Sequence, residues 1–156
     1  MTFPYDGGMQ RLTPYIREKV PHGSYTASSC AVWCFDARFG RLARLFESYQ
    51  SAPVDFVAVA GGAKAIADGG PSAAYVLEQV AASLRLHHPG EIVLMVHEDC
   101  GAYGRRFASE DETRDFFLAQ LDQAAQAVDD FLKSGGTAGV KVRKIYADFN
   151  GLWEAP

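Results

Sequence analysis

Long apolar runs are missing from this chain. None approaches the roughly 20 residues needed to cross a bilayer, so the sequence predicts no membrane span. An excess of basic charge is missing as well. The formal net charge of −4 offers no electrostatic footing on nucleic acid or on an anionic membrane surface. Cysteine is scarce: there are three, an odd number, which argues against a disulfide framework and for reduced thiols in a cytoplasmic setting. The stretch from Met1 to Tyr25 carries acids, prolines and glycines but no apolar signal core. Internal repeats, low-complexity tracts and linkers are absent. Gly61-Gly62 is followed by Lys64 but by no Lys-Ser/Thr pair, so the phosphate-loop pattern is incomplete.

What is present is ordinary for a globular domain. Of 156 residues, 48% are hydrophobic and 22% charged, enough for one domain with a sizeable core. The chain divides into an amino-terminal arm, 1–29, and a single domain, 30–156. In the arm, Asp6-Gly7-Gly8, Pro14, Pro21 and His22-Gly23 are turn signals. Arg11 to Val20 could hold a short helix, and His22 reads as a solvated loop residue.

The domain alternates apolar runs with helical patterns. Strands are expected at Cys30–Asp36, Val54–Ala60, Glu91–His97 and Val140–Phe149, with a short return at Leu152-Trp153 after the Asn150-Gly151 turn. Helices are expected at Phe39–Tyr49, with Leu42, Leu45, Phe46 and Tyr49 on one side, and at Ser72–His88, with Leu77, Val80, Ala81 and Leu84 on one face. A third opens at the capping box Ser109-x-x-Glu112. Its buried stripe should be Phe117, Leu121, Ala124, Val128 and Phe131, and Gly135-Gly136 should close it. Continuous apolar strands alternating with helices predict an α/β domain: a mostly parallel sheet of about four to five strands with helices on both faces.

In such sheets a site lies outside the carboxyl ends of the strands. Cys34, Gly61-Gly62, and His97 with Cys100 all fall at such ends. Two thiols and one imidazole, far apart in sequence, are thereby directed toward one place. That donor set suits zinc, and three protein ligands leave a fourth position for water. Zinc lowers the pKa of a bound water from about 15.7 to about 7, although two thiolates neutralise the ion and weaken the effect. Asp36, two residues past Cys34, can reach either the metal or its water. Arg38, two further along an extended chain, can hold that carboxylate in a forked pair. A plain structural ion pair is the other reading of Asp36 and Arg38, and buried core thiols the other reading of the cysteines. Cys30 reads as core. His87 and His88 suit a helix carboxyl end. Glu98 and Asp99 read as solvated or hydrogen-bonded turn acids. Tyr103 is either a pocket wall or a packed aromatic.

Cys34-x-Asp36-x-Arg38 followed by His97-x-x-Cys100-Gly101 resembles the β-class carbonic anhydrases, over a match running from about Ala31 to Phe149. The resemblance implies zinc held by Cys34, His97 and Cys100, and Asp36 with Arg38 as catalytic dyad. It implies reversible hydration of carbon dioxide to bicarbonate, and a homodimer or higher even oligomer. Gly61, Gly62, Gly101 and Tyr103 then become candidate substrate-pocket residues. Three features depart from the family: Ala58-Val59-Ala60-Gly61-Gly62 stands where an Arg-Asn-Ala-Gly-Asn stretch is usual, a helix is expected at Phe39–Tyr49 in place of a loop, and the arm is short. A divergent member fits this pattern. Hydrolysis of carbon disulfide or carbonyl sulfide at a similar zinc, or a non-catalytic zinc protein with Asp36 as fourth ligand, are the alternatives.

Overall fold

Apolar runs that cannot cover themselves must pair, and here five of them form one sheet. The computed structural model describes residues 15–156; the turn signals at Asp6-Gly7-Gly8 and Pro14 and the first part of the expected Arg11–Val20 helix lie outside the described residues. The strands are β1 (Ser29–Cys34), β2 (Val54–Val59), β3 (Glu91–His97), β4 (Lys141–Asp148) and β5 (Gly151–Glu154). Their order is β2-β1-β3-β4-β5. The first four run parallel, and β5 returns antiparallel on β4. β1 and β3, at the centre, are buried almost throughout, whereas β2 at the edge alternates. This is why the central strands read as unbroken apolar runs.

Helices cover both faces. On one, Trp33 of β1 packs on Phe46 of α1 (Gly40–Ser48), ring centroids 5.5 Å apart. On the other, α3 (Gly70–His87) packs on β1 and β2, and α4 (Glu110–Ser134) on β3 and β4. A five-residue helix, α2 (Lys64–Asp68), precedes α3 and buries Ile66. It is too short to show a period in the sequence.

The boundaries shift in informative ways. β1 stops at Cys34, not Asp36, because Asp36 turns to cap a 3-10 turn, Ala37–Phe39. The buried face of α3 is Ala73, Val76, Val80 and Ser83, rotated from the expected stripe so that Leu77 and Leu84 are only half-buried. On α4 the stripe ends at Leu132, not Phe131; a step of four from Val128 stays on the face that 3.6 residues per turn define. Ser109 Oγ accepts from Glu112 N–H at 3.1 Å as expected, while Glu112 reaches back to Ala108 N–H. No helix forms over the described residues 15–20, and 15–26 are exposed, His22 among them.

The order of strands positions the site. From β1 the chain steps out to β2, then crosses back to β3 on the other side of β1. The switch point therefore lies between the carboxyl ends of β1 and β3, where an open parallel sheet forms its crevice. Pairing of β1 with β3 ends at Val32–Leu94, though the strands run on to Cys34 and His97. The turn after β2 enters this gap: Ala63 N–H donates to Met95 O at 2.9 Å. Gly62 sits there at φ 58°, and a Cβ on it would lie 2.2 Å from Met95 O and 3.2 Å from Cys34 N. Only glycine permits so close an approach.

Candidate metal centre

Cys34 ends β1, His97 ends β3, and Cys100 follows three residues later on the turn that leaves β3. Their ligand atoms lie within 4.8 Å of one another, and all three residues are buried. His97 Nδ1 is 2.8 Å from Glu98 O. A carbonyl only accepts, so Nδ1 carries the proton and Nε2 has the free lone pair. Nε2 is buried and has no hydrogen-bond partner. Leaving such an atom unpaired costs about 1–3 kcal/mol, a cost that a metal ion removes. The ring is held in place by Phe39, whose centroid is 4.2 Å away.

The sulfurs carry the same sign. The Cys100 thiol donates to Cys34, which pulls the Cys34 pKa well below the ordinary thiol value; burial opposes this, and His97 with the backbone N–H groups of Asp36 and Gly61 reinforces it. Cys100, as the donor and in the field of a thiolate, is pushed up, burial adding to the effect and Ala102 N–H opposing it. Two thiolates this close repel each other unless a cation lies between them. A divalent ion would take both as thiolates, and the N–H groups already aimed at them are the outer partners such ligands use. Two sulfurs and an imidazole nitrogen are a zinc donor set. The residues therefore fit the metal that the sequence predicts.

Asp36 and Arg38 stand beside the cluster. Asp36 accepts from Arg38 N at 3.0 Å, from Nε at 3.1 and 3.2 Å and from Nη2 at 2.7 Å. The guanidinium holds the Asp36 carboxyl down at about 2 against partial burial. The expected pair forms, but around a 3-10 turn that Asp36 itself caps, not along an extended chain.

Two residues that the sequence reading left outside the site join it. Asp99 accepts from Arg38 Nη1 at 2.8 Å, and its carbonyl accepts from Nη2 at 3.0 Å. Phe149, at the end of β4, lies under the same guanidinium, 5.5 Å from carbon to ring centroid. An acid next to Cys100 was the available signal for Asp99; Phe149 left none, since only strand order brings it there.

The four pocket candidates fall differently. Gly61 N–H partners Cys34, and Gly62 packs against Met95. Gly101 opens a second 3-10 turn, Gly101–Tyr103, with open space beside it. Tyr103 packs edge-on against Phe116 and Phe117, its hydroxyl buried and unpartnered. It also lines an open cavity of about 700 Å³ behind the 98–107 loop, together with Arg105, Arg106 and Phe107. That cavity touches Cys100 but not Cys34 or His97. Away from the centre, Cys30 is fully buried, and burial pushes its thiol up to about 11. His87 pairs with Asp55 at 2.7 Å, and His88 is exposed.

No family model matches the sequence, and no curated protein matches it. Solved structures do match. A β-carbonic anhydrase of Trichomonas vaginalis superimposes with a TM-score of 0.60 at 12% identity, over 88% of this chain and 87% of that one. One from Sordaria macrospora, described as tetrameric, gives 0.55 at 15% identity, over 84% and 81%. A carbon disulfide hydrolase in its apo form gives 0.51 at 16% identity, over 83% and 79%. At these identities the likeness is one of architecture, and it agrees with the strand order and the switch point described above: the chain has the fold of the β-carbonic anhydrases.

Proposed function

We propose that this chain is a divergent, zinc-dependent β-class carbonic anhydrase that interconverts carbon dioxide and bicarbonate. The observation that carries this reading is the buried Cys34–His97–Cys100 cluster with Asp36 turned beside it onto Arg38. Cys34, His97 and Cys100 would hold the metal. When bound, zinc supplies Lewis acidity, making a nucleophile of water near neutral pH.

The chain's own residues do the rest. Glu98 O fixes the His97 tautomer, so that Nε2 is always the donor atom. The N–H groups of Asp36, Gly61 and Ala102 temper the sulfur charge. Asp36, ionised from a pKa of about 2 upward, is an acceptor at neutral pH and not a proton store. It is suited to orienting a water by accepting its hydrogen bond. Arg38 keeps that carboxylate from becoming a fourth ligand. The fold alone does not choose among small linear substrates. The apolar Ala58–Gly62 segment, which offers no polar side chain to a bicarbonate, favours hydrolysis of carbon disulfide or carbonyl sulfide as the second reading.

Stopped-flow carbon dioxide hydration on protein of measured zinc content is the deciding experiment. Zinc-loaded protein that hydrates carbon dioxide no faster than buffer, yet consumes carbon disulfide, would replace the first reading with the second. We further propose a homodimer or higher even oligomer, built with the 1–29 arm. Tyr15, Ile16 and Val20 of that arm are exposed, and so is the flank of edge strand β2 at Phe56. Three free thiols fit a reducing, cytoplasmic setting, and no helix among the described residues is long and apolar enough to cross a membrane.

A further inference from the structure

The Asp36–Arg38 pair is local. Both residues sit on one 3-10 turn, two positions apart, and nothing in their own hydrogen bonds stops them swinging as a unit toward the cluster. Asp99 supplies what is missing. It lies 61 residues away along the chain, on the turn that carries Cys100, and grips the guanidinium twice: Oδ2 accepts from Nη1 at 2.8 Å and the carbonyl from Nη2 at 3.0 Å. To do so its backbone is held at φ 51°, a left-handed conformation uncommon outside glycine, asparagine and aspartate. Phe39 and Phe149 stack on the guanidinium, at 5.9 and 5.5 Å. One exposed ion pair fixes little. Two carboxylates, a carbonyl and two rings around one planar group fix its orientation.

We infer that Asp99 is a positioning residue: it ties the β1 dyad to the loop of the third ligand, and so keeps Asp36 turned away from the metal position. The inference rests on the reading of Cys34, His97 and Cys100 as a metal site. Without the Asp99 carboxylate, Arg38 Nη1 is free. The dyad can then rotate, and Asp36, whose Oδ2 is already 3.9 Å from His97 Nε2, can take the open position.

Two variants test this. Asp99→Gly removes the carboxylate and accepts a positive φ; Asp99→Asn also tolerates it and keeps an acceptor oxygen. Metal content is measured first. The metal-free proteins are then compared by solvent exchange of the Arg38 Nη–H signals, the protons that Asp99 accepts, in nitrogen-15 spectra. The cobalt-substituted proteins are titrated with thiocyanate and followed by visible absorption. Asp99→Gly should keep its metal, exchange the Arg38 Nη protons at least about tenfold faster and bind thiocyanate at least about tenfold more weakly, as loss of an outer-shell partner does. Asp99→Asn should stay close to the parent in both. If Asp99→Gly keeps the parent's exchange rate and thiocyanate affinity, Asp99 is only a surface acid. A parent chain that binds no metal would defeat the proposed function instead, and the exchange comparison would still decide whether Asp99 holds Arg38.

Discussion

The Oδ2 atom of Asp36 lies 2.7 Å from Arg38 Nη2 and 3.9 Å from His97 Nε2. The carboxylate is thus committed to the guanidinium while within a small rotation of the cluster. Arg38→Ala should retain its fold and about one zinc per chain, because no ligand is lost. Its carbon dioxide hydration should fall by about a hundredfold or more, the scale on which misplacing an orienting group slows a reaction. Zinc analysis beside stopped-flow rates checks this; parent-like hydration in the variant would leave the pair structural.

Removing a ligand should act on the metal itself. Cys100→Ala is expected to weaken zinc binding by more than about a hundredfold, since even outer-shell partners contribute tenfold to a hundredfold. Cys30→Ala should hold zinc as the parent does, because its sulfur packs in the core beside Ser83 and not at the cluster. Competition with a chromophoric chelator measures both. Equal affinity in all three proteins would remove Cys100 from the site.

Gly62→Ala should damage fold and site together. The new Cβ meets the Met95 carbonyl at 2.2 Å in a backbone at φ 58°. Overpacking and left-handed strain together should cost at least about 2 kcal/mol. Because the same turn presents Gly61 N–H to Cys34, zinc affinity should drop as well. Denaturant unfolding of the metal-free variant and zinc competition report the two effects separately.

Far from the site, Asp55 should make stability depend on acid. Burial raises its carboxyl, but hydrogen bonds from Ser83, Tyr25 and His87 outweigh burial and leave it below the ordinary value. The folded state therefore binds its proton less readily than the unfolded chain, whose carboxyl titrates near 3.9. The stabilisation is complete above that pH and disappears as pH falls through the lower folded value. Asp55→Asn should lose about 1.5–3 kcal/mol at neutral pH, the scale of hydrogen bonds to a charged group. The gap to the parent should narrow below about pH 4. A gap that stays constant from neutral to acid pH would show that the carboxylate charge does not matter.

Light scattering at micromolar concentration should give twice the 17.0 kDa chain mass or more. A monomer would leave the exposed arm and the β2 flank without the proposed partner.

Much of this protein was fixed by sequence pattern alone. The apolar runs within the expected strands Cys30–Asp36 and Glu91–His97 read as buried strands because a strand buried on both faces cannot alternate. Cys34 and His97 had to emerge near strand ends because acids follow them within two residues, Asp36 and Glu98, and parallel strands end at one edge of the sheet. Tertiary structure decided the rest. That β1 and β3 are neighbours, and part beyond Val32–Leu94 so that the Gly62 turn can enter, follows from strand order, which no local pattern encodes. The rotation of the α3 face and the shift from Phe131 to Leu132 came from what each helix packs against. Asp99 and Phe149 reach Arg38 only because β3 and β4 end beside β1. Side chains 61 and 111 positions away from Arg38 in sequence can orient one guanidinium only when chain crossings bring them there. The chemistry of the cluster was therefore legible in its residue types, whereas the orientation of its carboxylate was not.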